Sequence, residues 1–101
     1  MSLVSKLVEV HLLNGNRFLG KVKEVDAYGV TVFCIPLTML EGAVEARNIL
    51  DDLRIMRHTL FFPHANIEYI DIGGEPLGFD HLFRTWFGSV PLDEFFKSDV
   101  V

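Results

Sequence analysis

The run Val8-Glu-Val-His-Leu-Leu-Asn-Gly-Asn-Arg-Phe-Leu-Gly-Lys-Val-Lys-Glu-Val-Asp-Ala-Tyr-Gly-Val-Thr-Val32 decides how this chain folds. Val8, Val10 and Leu12 alternate with Glu9 and His11; beyond Asn14-Gly15-Asn16, the residues Phe18, Gly20 and Val22 alternate with Leu19, Lys21 and Lys23. A period of two sends successive side chains to opposite faces of a strand. Two such runs around an Asn-Gly pair predict a β-hairpin, with a type I′ turn whose central residues both take positive φ. Asp26-Ala27-Tyr28-Gly29 has the side-chain acceptor and the glycine of a second tight turn. The β-branched run from Val30 to Ile35 then supplies a third strand and completes a meander.

Downstream the pattern is mixed. Between Thr38 and Asp52, Leu40, Val44, Ala46 and Leu50, with Leu53 beyond, partly match a helical stripe that Gly42 and Asn48 interrupt, which reads as a long excursion with a helical turn. Strand character returns over Arg54–Phe62, stops at Pro63-His64-Ala65, and resumes over Asn66–Ile72 until Gly73-Gly74. No crossover helix fits between these runs, so the fourth and fifth strands must be nearly consecutive in space. After Gly78 the period becomes helical. Asp80 can cap a helix with Leu82, Phe83, Trp86 and Phe87 on one face and Gly88 at its end, and Pro91 can open another carrying Leu92, Phe95 and Phe96. The expected organisation is a β-domain over residues 1–78, with its excursion at 38–52, and a short aromatic helical extension over 79–101.

Composition bounds the function. At 101 residues the chain builds one core, and 50% hydrophobic against 23% charged residues excludes wholesale disorder. The lone Cys34 excludes an intramolecular disulfide and a multi-thiolate zinc staple, which fits a reducing, cytoplasmic setting. The first residues lack a signal-peptide pattern, and no apolar run is long enough to span a membrane, so no membrane partner is expected. The net charge is −5, and it lies entirely in residues 66–101; residues 1–65 balance seven Lys/Arg against seven Asp/Glu. A nucleic-acid site would therefore be local and would fall in the first two thirds.

Five short strands joined by tight turns predict a mainly β fold, a small barrel of SH3-like or OB type, and periodicity does not choose between the two. Two local sequences carry a resemblance that does. Val8 to Val32 resembles the first motif of the Sm/LSm family of ring-forming RNA-binding proteins, with Gly15, Phe18, Gly20 and Asp26 at the motif's spacing. Leu60-Phe-Phe-Pro-His-Ala-Asn-Ile-Glu-Tyr-Ile70 resembles the second motif, and its Pro-His-Ala is similar to the Lys-His-Ala of the bacterial RNA-chaperone branch. The resemblance, which covers about a third of the chain, is to a divergent member, phage-encoded ones included. It implies a strongly bent, open five-stranded barrel. The fourth strand would pair with the fifth strand of a neighbour to close a homo-oligomeric ring of about five to seven subunits, with single-stranded RNA, or DNA, as the partner.

Carried over residue by residue, the resemblance implies that Tyr28 stacks on a base and that His64 and Asn66 hydrogen-bond base edges. Lys21 and Lys23 share one face of the second strand and are placed to meet phosphate, although exposed lysines are ordinary on any soluble strand. Val30 stands where the family has its base-reading Asn, and Pro63 where it has a cation, so the expected binding has little sequence preference. Each residue also has a structural reading: Tyr28 can pack on a neighbouring subunit, His64 can bond a backbone group, and Asp26 reads as a turn acceptor rather than a base reader. Gly15 and Gly20 read as structural, Phe18 as core. Catalysis is not expected, nor a metal or cofactor. Cys34 sits in an apolar strand, and neither it with the histidines nor His58, His64 and Glu68 form a recognisable constellation. The competing class is a homo-oligomeric protein-interaction module without nucleic acid, supported by the acidic balance and by the aromatic tail, which can pack on its own domain or dock a partner.

Overall fold

The computed structural model describes residues 2–46, 54–72 and 92–97. Strands β1 (Leu7–Leu12), β2 (Arg17–Val25) and β3 (Gly29–Pro36) are followed by helix α1 (Leu37–Ala46), strand β4 (His58–Pro63), a 3-10 turn η1 (His64–Asn66), strand β5 (Ile67–Asp71) and a helical turn α2 (Leu92–Phe95). The strands form one antiparallel sheet in the order β4-β3-β2-β1-β5. No helix among the described residues is long and apolar enough to cross a membrane.

The first hairpin forms where the alternation places it, with a different turn. Gly15 N–H donates to the Leu12 carbonyl at 3.0 Å and Leu12 N–H to the Asn16 carbonyl at 2.9 Å, closing a three-residue loop. Gly15 has φ +90, whereas Asn14 is not left-handed, so the turn is not type I′. A turn capped by one left-handed glycine is the next commonest hairpin solution, and Asn14 supports it by accepting the Asn16 N–H at 3.0 Å.

The sheet is curved. At about 3.3 Å per residue a straight β2 would hold the turns at its two ends about 30 Å apart. Both turns nevertheless bond to η1, whose three residues rise only about 6 Å: Leu13 N–H donates to the Asn66 carbonyl at 2.9 Å, and His64 N–H to the Tyr28 carbonyl at 3.0 Å. Two features let β2 bend. The β2–β3 register shifts between Val22 and Glu24, as a bulge does. At Gly20, paired with Cys34, a Cβ would lie 2.2 Å from the Phe33 carbonyl oxygen, so β3 packs closer than any side chain permits.

The concave face holds the core: Val8, Val10, Val22, Val30, Val32, Cys34 and Phe62, flanked by Phe18, Leu60, Ile67 and Ile70. Phe18 packs its ring 5.0 Å from that of Phe62. The alternate positions are covered too, with Leu19, Ile35 and even Glu9 fully buried. Helix α1 lies against β2 and β3 with Leu37 and Leu40 buried, and it tolerates Gly42, beside which a Cβ would meet nothing within 4 Å.

Two strand boundaries differ from the sequence pattern. β4 begins at His58 rather than Arg54, because residues 54–57 form a turn in which Arg57 Nε donates to the Arg54 carbonyl at 2.8 Å. β5 begins at Ile67, because Asn66 is taken into η1. The same Arg57 ties in the aromatic tail: its Nη1 donates to the Phe95 carbonyl at 2.7 Å, and its guanidinium lies 5.1 Å from the Phe33 ring centroid and 5.4 Å from that of Phe95. Phe95 and Phe96 are fully buried, so this part of the tail packs inward. The excursion beyond residue 46, the helix expected from Asp80 to Gly88 and the boundary at residue 78 lie outside the described residues.

Candidate nucleic-acid interface

Asp26 organises the β2–β3 turn. Its Oδ1 accepts the backbone N–H groups of Tyr28 at 2.7 Å and Gly29 at 3.0 Å, and its own N–H donates to the Gly29 carbonyl at 3.0 Å. With the turn closed from inside, the Tyr28 side chain has no place in the core and stands 80% exposed. Gly29 brings β4 against the turn, since a Cβ there would lie 2.3 Å from the Phe62 carbonyl and 2.7 Å from the Phe61 ring.

Pro63 ends β4 and leads into η1. This sets His64 against the turn twice, through its N–H to the Tyr28 carbonyl and through ring Nε2, 3.0 Å from the Asp26 carbonyl. A carbonyl only accepts, so Nε2 is the donor in this contact. His64 thus does bond the backbone, the structural alternative open to it, and remains exposed at the surface. Asn66, at the other end of η1, belongs to the other turn. Its carbonyl accepts the Leu13 N–H, and it lines a cleft of about 240 Å³ with Leu12, Leu13 and Asn14.

Lys21 and Lys23 lie elsewhere. Lys21 is paired across the sheet with Phe33, and Lys23 Nζ sits 5.7 Å from the Phe33 ring centroid. Phe33 is four residues along β3 from Gly29, about 13 Å at strand rise. The fold therefore gathers Asp26, Tyr28 and His64, holds Asn66 at the far end of η1, and directs the two lysines to another patch. Val30 is buried in the core beside Phe62, so its position faces away from any ligand.

Two residues of this surface escaped the sequence reading. Phe61, 48% exposed on β4 and overlying Gly29, was hidden in a run that reads as apolar throughout. Asn14 reads only as a turn residue, yet it lines the cleft beside Asn66.

The remaining reactive groups are placed otherwise. Cys34 is buried and desolvation pushes its thiol up to about 12, so it is a protonated core side chain near neutral pH. His58 and His64 flank β4 at opposite ends, and no three His, Cys, Asp or Glu among the described residues are grouped to hold a metal ion. Glu9 is the single buried charged residue among those described; it pairs with His11 Nε2, while the His11 ring stacks on Tyr69 at 4.0 Å and so joins β1 to β5. Comparison of the chain with protein-family models, with curated proteins and with solved structures gave no match.

Proposed function

We propose that the chain is an Sm-like, open, strongly bent barrel that assembles into a homo-oligomeric ring through its outer strands and binds single-stranded RNA, or DNA, at Tyr28 and His64, without catalysis, metal or cofactor. The observation that carries the site is the 3.0 Å bond from His64 N–H to the Tyr28 carbonyl, which ties a free aromatic face and an exposed imidazole into one surface built on two strand ends. An exposed ring offers a base a stacking platform worth roughly 1–3 kcal/mol without reading its identity.

Support for assembly comes from the edges. β4 and β5 are the two outer strands, and each carries exposed apolar side chains, Phe61 on β4 and Tyr69 on β5, with Ile72 just beyond. Unpaired edges of this kind invite pairing with another chain, and cyclic closure removes them. Repetition around a ring raises a weak single-site affinity through effective concentration, which is how an acidic protein can hold an anionic strand.

The test is fluorescence anisotropy with labelled oligo-U, oligo-A and mixed RNA at two salt concentrations, for wild type and the Tyr28→Ala/His64→Ala double variant. Binding to all three strands that vanishes in the double variant is the expected result. No binding to any strand at low salt by an assembled protein favours the second reading, a protein-interaction module, for which the apolar exposure of Tyr28 and Phe61 speaks.

A further inference from the structure

Among the described residues Glu9 is the one charged side chain fully sealed from solvent, and it lies beside the strand held least firmly in the sheet. β5 is an edge strand whose only neighbour is β1, and none of its residues is fully buried. The register of that pairing shifts between His11 and Leu12, which interrupts the backbone ladder. Side-chain contacts therefore carry much of the attachment of β5.

Four of these side chains meet on the face opposite the core cluster. Glu9 lies across from Asp71, and His11 across from Tyr69. The Glu9 carboxylate contacts His11 Nε2, and the imidazole stacks on the Tyr69 ring with centroids 4.0 Å apart and planes 19° apart. Neither carboxylate oxygen nor Nε2 has a partner in hydrogen-bond geometry among the described residues, so what joins Glu9 to His11 is charge, and it acts only while the imidazole is protonated. Loss of that proton leaves a buried carboxylate without its counter-charge, which is costly. It leaves Glu9 facing Asp71, and like charges directly opposite destabilise a strand pair. It also takes the cation off the face of Tyr69. All three effects fall on β5. His11 keeps 15% of its side chain exposed, enough to exchange its proton with solvent.

The other charges facing the pair come from β2. Arg17 lies across from His11, and Lys21 is two residues from Leu19, the cross-strand partner of Glu9. Both make contacts elsewhere, and neither bonds a Glu9 oxygen. Of the other histidines described, His58 begins β4 at the opposite edge of the sheet, and His64 bonds the β2–β3 turn.

We propose that Glu9, His11 and Tyr69 form a proton-operated latch for the β5 edge, closed while His11 carries its proton and loosened when the proton leaves. The latch contributes where Glu9 is ionised and His11 protonated. Its contribution fades as pH rises through the interval in which histidines change charge, about pH 5–8, and fades again in acid as Glu9 takes up a proton. In the proposed ring β5 is one of the two pairing edges, so the latch there governs assembly as well; that consequence alone rests on the proposed function.

Hydrogen exchange read by mass spectrometry on the full chain tests the latch, at about pH 6 and about pH 8.5 and corrected for intrinsic exchange rates. Wild-type β5 amides should lose protection at least about tenfold between the two conditions while those of β2 and β3 change less than about threefold. Glu9→Gln, which removes the charge and keeps the shape, should flatten the β5 response to within about threefold, and His11→Gln should leave β5 loosened already at the lower pH. Should either variant fail to fold, NMR of the wild type decides: the Tyr69 ring signals should titrate together with those of His11. Protection of β5 that does not change with pH in the wild type, a loss that persists in folded Glu9→Gln, or Tyr69 signals that ignore the His11 titration overturns the latch. Light scattering at the same two pH values separates this from the ring. A mass that falls together with β5 protection upholds both, and a protein monomeric at both values whose β5 still loosens upholds the latch and overturns the ring.

Discussion

Replacing Gly20 with Ala tests whether the curvature of the sheet rests on backbone contact. The added Cβ would lie 2.2 Å from the Phe33 carbonyl oxygen, 2.5 Å from Cys34 Cβ and 2.6 Å from Cys34 Cα, where real contacts stay above 3.0 Å. Two of these three atoms are backbone, so no rotamer change relieves the clash and β2 must lift from β3. Overpacking of this kind costs about 1–3 kcal/mol, and loosening one or two ladder bonds beside the Gly20–Cys34 pair adds about 1 kcal/mol each. We expect a loss of about 3–4 kcal/mol, a large part of the roughly 5–15 kcal/mol that holds a typical domain together. Gly15→Ala is the comparator. There the site is open and the cost arises from φ +90 alone, about 1–2 kcal/mol. Urea unfolding followed by circular dichroism ranks the two variants. A Gly20→Ala protein as stable as Gly15→Ala, or more so, would refute the close approach of β2 and β3 and the bend argued from it.

Asp26→Ala removes the acceptor for two backbone N–H groups and should cost about 1–2 kcal/mol in urea unfolding, with Asp26→Asn recovering most of it because an Oδ1 remains. Arg57→Ala deletes bonds to the Arg54 and Phe95 carbonyls together with contacts to two rings; a loss of roughly 2–3 kcal/mol and faster proteolysis near Phe95 are expected, with Lys a poor substitute for the planar guanidinium. The Cys34 thiol, raised to about 12 in the folded protein, gives a pH test. The unfolded chain releases this proton first as pH rises above about 9, so the contribution is complete below that value and fades towards pH 12. Wild type should therefore lose stability relative to Cys34→Ala over that window, and native Cys34 should resist thiol reagents near pH 8.

The meander was legible because each of its strands buries alternate residues: Val8 and Val10, Gly20 and Val22, Val30, Val32 and Cys34 take the core face as their period requires. The turn at Asp26 was legible for the same local reason, a short acceptor bonding its own backbone. What failed was decided at a distance. Residues 54–57 have strand-like composition, but Arg57 turns back to the Arg54 carbonyl and is held there by Phe33 and Phe95, two contacts that no local window of sequence contains. Leu19, Ile35 and Glu9 occupy positions that alternation alone cannot assign to burial, because a second layer covers that face. In the site, the resemblance puts Tyr28 and His64 together, and the contact between them depends on the curl that brings both ends of β2 to η1. Lys21 and Lys23 share a strand with the turn, but strand rise carries them to Phe33 instead.

The proposed ring requires β4 and β5, unpaired with each other at the two edges of the sheet, to pair between copies. Light scattering after gel filtration at micromolar concentration measures this most directly, with Phe61→Lys on the exposed face of β4 as the control. A ring gives a closed particle of about five to seven times the 11.5 kDa chain mass whose size does not grow with concentration, and a smaller species for the variant. A wild-type protein that elutes as a folded 11.5 kDa monomer would contradict it.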